Sequence, residues 1–187
     1  MKKLITIAII SLFTLTLTTY GAELKIEPVY GVERTYHATP EPGRYKSEIF
    51  AGVRGVYGTP SIAAEAELNQ SNSSFTVGGV ETDTTTQKFL LGMRLIPLRG
   101  KWFSLYFRTG VRAQKQTRET TESGVTTTDD DDEISYDPYA GTGFSINLVG
   151  LLSLNASATL VHNKYAEESE KYDTRYTFSA SFKFGSK

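Results

Sequence analysis

The sequence predicts an all-β fold, namely an eight-stranded antiparallel up-and-down transmembrane β-barrel after a cleaved signal peptide. Segments in which apolar and polar residues alternate recur along the 187-residue chain, and the loops between them alternate between short and long. The last segment, Tyr176–Phe184, places aromatic residues on one face and Thr, Ser and Lys183 on the other. Because side chains of a strand alternate between two faces, such a segment needs an apolar medium on one side and a polar one on the other.

The first 22 residues have the pattern of a secretory signal peptide. Lys2 and Lys3 precede an apolar run from Leu4 to about Leu17, which is shorter than the ~20 residues that a membrane-spanning helix needs. Cleavage is expected after Ala22, with cleavage after Gly21 as the alternative. Residues 23–187 would then form the barrel domain.

Composition excludes several classes of function. Removal of Lys2 and Lys3 leaves 18 basic and 21 acidic residues, so no basic excess indicates a nucleic-acid partner. The chain has no cysteine, which excludes a disulfide framework, a thiolate metal site and a lipid-modified N-terminal cysteine. No cofactor is expected.

Eight segments carry the alternating pattern, and the loops between them divide into two kinds. The predicted strands are Leu24 to about Tyr36, Ser47–Tyr57, Ile62–Asn69, Lys88–Leu95, Phe103–Ala113, Tyr139–Leu148, Leu152–Leu160 and Tyr176–Phe184. The predicted short turns are Gly58–Ser61, Arg99–Lys101 and Val149–Leu151. The predicted long loops contain Thr39–Gly43, Gln70–Thr86, about Lys115–Glu133 and Lys164–Tyr172.

The short turns also predict the register of three hairpins. Residues that pair across a hairpin must share a face, so the parity of the apolar positions decides whether a turn has an odd or an even length. The predicted pairs are Tyr57 with Ile62, Leu98 with Trp102, and Leu148 with Leu152.

Periodicity leaves open which face looks inward: a soluble lipocalin-like barrel has apolar residues inside, whereas a membrane barrel turns them toward lipid. The polar face mixes long charged residues with small ones, and a crowded interior needs such small residues more than a solvated surface does. The small residues are Gly31, Gly52, Ala63, Gly92, Gly110, Gly141, Gly143, Ser153, Ser157, Ser179 and Ser181.

The apolar face is nearly free of charge over all eight strands, and aromatic residues lie toward its ends. An outward apolar band with aromatic girdles is typical of transmembrane barrels, so the membrane interpretation is favoured. The aromatic residues are Tyr30, Tyr57, Phe89, Phe103 and Phe184.

The whole mature chain resembles the OmpA-type small outer-membrane β-barrels of Gram-negative bacteria. The resemblance rests on the signal peptide, the eight alternating strands, the alternation of short turns with long polar loops, and the aromatic-ended last strand. It implies an outer-membrane monomer whose termini and short turns face the periplasm. Implied partners are outer-membrane lipids, lipopolysaccharide and the barrel-assembly machinery. Gly185–Lys187 after Phe184 depart from the family pattern, in which the final residue is usually aromatic.

Charged residues on the predicted inward face form the main candidate site. Burial of an unpaired charge is costly, so mixed charges in a narrow lumen predict a paired, non-conducting network. A gated channel of low conductance is the alternative. The predicted lumen network contains Glu27, Glu48, Arg54, Glu65, Glu67, Lys88, Arg94, Arg108, Arg112, Arg175 and Lys183, and Lys25, Glu33 and Asp137 share its face.

An acidic run closes the third long loop and is a weak candidate metal site. Clustered carboxylates suit Ca²⁺ or Mg²⁺, but the spacing matches no defined calcium loop. A solvated acidic loop is therefore favoured over cation bridging to lipopolysaccharide phosphates. The run consists of Asp129, Asp130, Asp131, Asp132 and Glu133.

Two histidines bear on an enzymatic alternative. Some small barrels of this type are lipid A deacylases or acyltransferases with a rim histidine and serine. His37 and His162 are followed by Ala38-Thr39 and Asn163-Lys164, without a closely spaced serine. Since a triad needs nucleophile, base and orienting group together, no catalytic residue is predicted. The predicted role is structural or adhesin-like, with surface loops that bind a ligand. A lipid A-modifying enzyme is the first alternative, and a soluble ligand carrier is the second.

Overall fold

The computed structural model describes residues 22–37, 44–77, 80–122, 125–149, 151–163 and 171–184, which form a closed barrel of eight strands in chain order. Every neighbouring pair is antiparallel, so the predicted fold class is confirmed. The strands are β1 (Glu23–His37), β2 (Arg44–Gly58), β3 (Ile62–Val77), β4 (Val80–Arg99), β5 (Phe103–Glu122), β6 (Val125–Val149), β7 (Leu152–His162) and β8 (Tyr172–Phe184). Nearly all of the predicted signal peptide lies outside the described residues.

The stagger of the strands has the value that an eight-stranded membrane barrel needs. A path through directly paired residues leaves β1 at Glu33 and returns to β1 at Glu23, ten residues earlier. The path visits Arg175, Thr159, Gly141, Arg108, Arg94, Ala63 and Gly58. With ordinary strand spacings, this stagger corresponds to a tilt of about 40° and a lumen that side chains can fill.

The apolar face of the sheet points outward. Phe89, Phe107 and Phe178 are 45%, 50% and 63% exposed, whereas Arg94 and Glu65 are 3% and 2% exposed in the lumen. The membrane interpretation is therefore confirmed, and the lipocalin-like alternative with an apolar interior is wrong. Within the described residues, no helix has the length and apolar character needed to cross a membrane.

Two of the predicted long loops are wrong, because most of their residues continue the strands. Pairing between β3 and β4 runs on from Ser71 with Thr86 to Val77 with Val80, and pairing between β5 and β6 runs on to Glu122 with Val125. These segments lack the apolar residues that mark a half-buried strand, but their many threonines are β-branched and favour extended backbone. Most of Gln70–Thr86 and Lys115–Glu133 therefore belongs to polar strands.

The first predicted hairpin pair is also wrong, although its parity is right. Tyr57 pairs with Ala64 rather than with Ile62, and Gly58 pairs with Ala63. The loop therefore still has four residues, but it lies one residue further along the chain. Hydrogen bonds within this loop fix its position. Thr59 N donates to Ile62 O at 2.8 Å, and Ile62 N lies 3.3 Å from Thr59 Oγ1.

Irregularities at the ends of the strands shift the other two predicted pairs. Leu98 pairs with Leu105 rather than with Trp102, beyond a register shift that follows Leu95. Leu152 pairs with Val149 rather than with Leu148, because the register shifts after Asn147. A bulge inserts an unpaired residue that leaves little trace in the alternation of a short segment, so the sequence did not reveal these shifts.

Strands β3 to β6 extend beyond the rest of the barrel as a four-stranded sheet. Pairing of β2 with β3 stops at Phe50 with Ser71, and pairing of β6 with β7 begins only at Tyr139 with Val161. Past these points, β3 to β6 pair only with one another. Among the described residues, the outer edges of β3 and β6 therefore have no backbone-paired strand along this extension, although Lys46 of β2 still donates to Ser73 Oγ of β3 at 2.8 Å.

Candidate functional site: the polar lumen

Twelve charged side chains are buried inside the barrel among the described residues, and their formal charges cancel. Each lies at an inward position of its strand, so the alternation that turns apolar residues toward lipid also brings these groups together. The six acidic residues are Glu27, Glu33, Glu65, Glu67, Asp137 and Asp173, and the six basic residues are Arg54, Lys88, Arg94, Arg108, Arg112 and Arg175.

Three glutamates and three arginines alternate in a closed circuit, which we call the central ring: Glu27, Arg54, Glu67, Arg108, Glu65 and Arg94. Arg54 lies 3.1 Å from Glu27 and 2.6 Å from Glu67. Arg108 continues the ring, 3.4 Å from Glu67 and 2.7 Å from Glu65. Arg94 closes it at 3.2 Å from both Glu65 and Glu27. Every member thus has two oppositely charged neighbours.

Two further groups bind to the central ring from the barrel wall. Arg175 on β8 pairs with Glu67, and the Tyr139 hydroxyl on β6 donates to Glu65 Oε1 at 3.0 Å. Residues of the ring itself come from β1 to β5. Together, these contacts connect seven of the eight strands across the lumen, because only β7 contributes no side chain to them.

A second group of charges, the hairpin-end cluster, lies on the side of the long hairpins. Arg112 is its centre, at 2.5 Å from Glu33, 2.8 Å from Asp137 and 3.8 Å from Asp173. Lys88 pairs with the other oxygen of Glu33 at 3.0 Å. This cluster carries one more acidic than basic group, and the central ring together with Arg175 carries one more basic group, so the two balance.

Aromatic rings inside the barrel fill the space between the arginines and the wall. Each ring lies against an inward glycine and under a guanidinium. The three sets are Gly31, Phe50 and Arg175; Gly143, Tyr106 and Arg94; and Gly92, Tyr139 and Arg108. The guanidinium carbons lie 3.9, 4.4 and 5.2 Å from the respective ring centroids, within the range of cation–π attraction. The small inward residues therefore make room for aromatic rings as well as for ions.

The remaining predicted site residues lie away from the centre. Glu48 pairs with the half-exposed Lys46 at 3.3 Å, toward the hairpin end. Lys183 pairs with Glu23 at 2.6 Å, at the end with the short turns. Lys25 is only partly buried at that same end. These residues line the two mouths of the lumen rather than its centre.

The acidic run lies on strand β6, where its first residues pair through their backbone with β5 (Asp129 with Arg118, Asp131 with Gln116). Its side chains lie outside the described residues, so the metal-site hypothesis stays a prediction. The part of the chain that the structure describes contains no cluster of three or more metal-ligating side chains. The ring of His162 packs edge-on against Tyr172, with 5.9 Å between centroids.

The predicted site residues did not include Asp173 or the inward aromatic residues Phe50, Tyr106 and Tyr139, although Tyr106 and Tyr139 fall on the predicted polar faces of their strands. Asp173 precedes the segment predicted as strand eight, which in fact begins at Tyr172. Phe50 and Arg54 lie an even number of positions apart on β2, so the alternation of side chains places both on the inward face.

One part of the inner wall carries buried polar atoms without a hydrogen-bond partner among the described residues. They are the hydroxyls of Ser157, Thr159 and Thr177 and the Nε and Nη1 atoms of Arg175. Thr159 pairs directly with Arg175 and Ser157 with Thr177, so the four side chains form one inward patch of β7 and β8. Buried polar groups without protein partners are usually satisfied by ordered water, so we expect water in this patch.

The closed barrel, the outward apolar band and the ionic interior define a small transmembrane β-barrel of the outer-membrane type. No protein-family model and no curated protein sequence matches the chain.

Solved structures of outer-membrane proteins share the fold. Ail, the attachment invasion locus protein of Yersinia pestis, in complex with the heparin analogue sucrose octasulfate, matches with a TM-score of 0.60 and 15% identity over 88% of this chain and 100% of that one. Neisserial surface protein A matches with a TM-score of 0.59 and 11% identity, over 88% of this chain and 98% of that one. A major outer membrane protein from Thermus thermophilus matches with a TM-score of 0.55 and 11% identity, over 88% of this chain and 100% of that one. At these identities the likeness shows the fold alone.

Substitution of Arg54 tests the central ring. Arg54→Met leaves Glu27 and Glu67 buried with one cation fewer, so we expect a loss of about 3–5 kcal/mol in the free energy of unfolding. The measurement is urea unfolding in lipid vesicles. As the matched control, Lys46→Met at the half-exposed pair with Glu48 is expected to cost about 0–1 kcal/mol. In the double variant Arg54→Met, Glu67→Gln, the loss should be smaller than the sum of the single losses, and strict additivity would contradict the coupling.

Two glycines of neighbouring strands test the packing of the aromatic rings. A Cβ atom at Gly31 would clash with the backbone carbonyl oxygen of Tyr176 and would lie 2.5 Å from Phe50 Cζ, whereas a Cβ at the outward Gly55 would meet nothing within 4 Å. We expect Gly31→Ala to lower the free energy of unfolding by about 1–3 kcal/mol, because the backbone at Tyr176 and the ring under Arg175 must both move. Gly55→Ala should leave it unchanged or raise it slightly. Equal effects in the same urea titration would show that the lumen is not tightly packed.

Proposed function

We propose that the protein is an outer-membrane anchor with a surface-interaction role, in which the extension of β3 to β6 contacts a partner and the lumen does not conduct ions. The observation that carries the proposal is the extension itself. A transmembrane strand needs about 9–11 residues. Strands β3 to β6 have 16, 20, 20 and 25 residues, so they have more residues than the membrane requires.

The chemistry of the extension suits contact with another macromolecule. Its strands are rich in threonine and serine, which remain hydrated and offer hydroxyl groups on both faces. Along the extension, the outer edges of β3 and β6 have no backbone-paired strand among the described residues, and an unpaired edge can pair with an extended segment of a partner. Both features favour a binding role over a purely structural one.

Charge restricts the partner at the edge of β6. The acidic residues 129–133 lie on this strand, so a polyanion would be repelled there. Ail of Yersinia pestis, an attachment protein by name, was solved with a sulfated sugar, and it supports the general idea of a surface ligand. For this chain, we expect a neutral or basic partner at the edge of β6.

The orientation and the remaining partners belong to the same proposal. The short turns and both ends of the described barrel lie at one mouth, since Leu24 pairs with Phe184 and Glu23 with Gly58. We propose that this mouth faces the periplasm and that the extension faces the medium. The monomeric barrel would contact outer-membrane lipids and lipopolysaccharide and would be inserted by the barrel-assembly machinery.

Removal of the extension tests the surface role. Asn72 pairs with Thr85, and Thr117 pairs with Asp130, so an Asn-Gly turn in place of residues 73–84 and of residues 118–129 would close both hairpins within the existing register. We expect bacteria that carry the full-length protein to adhere to epithelial cells or matrix protein, and adhesion to fall to the vector background in the shortened variant.

Heat-modifiable migration on a gel is the control, because it reports whether the shortened barrel still folds. Undiminished adhesion by a folded, shortened barrel would contradict the proposed role of the extension. An assay of acyl release from lipopolysaccharide by the purified barrel tests the enzymatic alternative separately.

Electrical recording tests the closed lumen. The central ring fills the lumen with paired charges, so the purified protein in planar bilayers should show no stepwise current. Arg108→Ala removes the cation that contacts Glu65 and Glu67, and we expect this variant to give a small, cation-selective current because it leaves the ring negatively charged. Lys46→Ala, outside the ring, should remain silent. Steady steps of current through the unmodified protein would overturn the proposal of a closed lumen.

A further inference from the structure

Two lysines lie directly opposite each other where the barrel closes. Lys25 on β1 pairs with Lys183 on β8, and both are at inward positions of their strands. Side chains in this arrangement have Cβ atoms about 4.5–5.5 Å apart, and like charges at this distance destabilise a strand pair. The two strands that complete the cylinder therefore meet at a repulsive contact.

The lysine pair borders an open cavity of about 610 Å³ at the mouth with the short turns. Four basic side chains line it, Lys25, Arg99, Lys101 and Lys183, against one acidic side chain, Glu23. The buried interior is neutral by contrast, so the excess positive charge is confined to this mouth.

Glu23 relieves only part of the repulsion. It lies 2.6 Å from Lys183 and 3.4 Å from Arg99. Among the described residues, no carboxylate comes within ion-pair distance of Lys25. Since Lys25 is also partly buried, its charge is only partly screened by water.

From this geometry, we propose that the cavity binds a phosphate-bearing anion that bridges Lys25 and Lys183. A phosphate group carries at least one negative charge and at least two strong acceptor oxygens, so it can contact both ammonium groups at once. Arg99 and Lys101 at the rim reach other parts of the same molecule. The cavity is much larger than one phosphate group, so it also holds the organic portion that bears the phosphate.

The bound anion would also act on the barrel itself. It replaces a repulsive contact between β1 and β8 by two attractive ones, and therefore stabilises the closing seam. Ligand binding to the folded state alone raises the free energy of unfolding in proportion to the logarithm of the ligand concentration.

Trp102 provides a direct signal, because it is the single tryptophan of the chain and lines the cavity. The purified barrel in maltoside micelles is titrated with inorganic phosphate and with glycerol phosphate at constant ionic strength, balanced with sodium chloride. We expect a saturable change in Trp102 fluorescence and a higher urea midpoint of unfolding. In Lys25→Gln and in Lys183→Gln, we expect binding about tenfold to a hundredfold weaker, because each loses a charge-assisted hydrogen bond.

Two further variants separate anion binding from general effects of charge. Lys25→Arg should retain binding, since it keeps the cation at the same position. Lys46→Gln, at the opposite mouth, should bind phosphate as the unmodified protein does. Without phosphate, Lys25→Gln should unfold at an equal or higher urea concentration, because the repulsion with Lys183 is gone.

Lipid vesicles distinguish the source of the phosphate. If the ligand is a lipid headgroup, the urea midpoint of the unmodified barrel rises in phosphatidylglycerol vesicles relative to phosphatidylcholine vesicles, and the rise disappears in Lys25→Gln. If the ligand is soluble, the micelle titration saturates and the two vesicle types give equal midpoints. Absence of an effect in both experiments, or equal effects in the unmodified protein and Lys25→Gln, overturns the proposal.

Discussion

The structure depends on the alternation of charge around the central ring. A barrel in a bilayer turns its apolar face to lipid, so its interior cannot be an ordinary hydrophobic core. Guanidinium and carboxylate groups then fill the lumen, and each of them is costly to bury without partners. Because Arg54 contacts both Glu27 and Glu67, and its neighbours do likewise, no member of the ring depends on a single contact.

The ring in turn imposes conditions on the wall. Guanidinium planes need flat partners on their faces, and Phe50, Tyr106 and Tyr139 supply them. Those rings fit only where the facing strand has no Cβ atom, as at Gly31 and Gly143. Glycine weakens a strand, but here it leaves the space that the aromatic rings of the inner layer occupy. The ionic pairs, the aromatic rings and the glycines are therefore parts of one packing solution.

Much of the fold follows from a period of two in the sequence, because one face of each strand touches lipid and the other touches the ring. The faces of Phe89, Glu65 and Arg94 could be predicted in this way. The same rule failed to predict strands in segments that lack alternating apolar residues. Most of the Thr-rich segments 70–86 and 115–133 forms strands although few apolar residues mark either face, since β-branched residues and a paired neighbour suffice. Pairing partners near the turns could not be predicted, because they depend on bulges that are visible only in three dimensions.

Net charge differs between the centre of the lumen, the mouth with the short turns and the extension of β3 to β6. In the middle of the barrel, the buried charges of the described residues are paired and balance one another. An excess of positive charge remains at the mouth beside Lys25 and Lys183, and an excess of negative charge lies on the extension at residues 129–133. Since unpaired charge is tolerated only where water or a partner can reach it, the two ends carry the groups that can recognise other molecules. The middle therefore holds the barrel closed, and the ends remain available for binding.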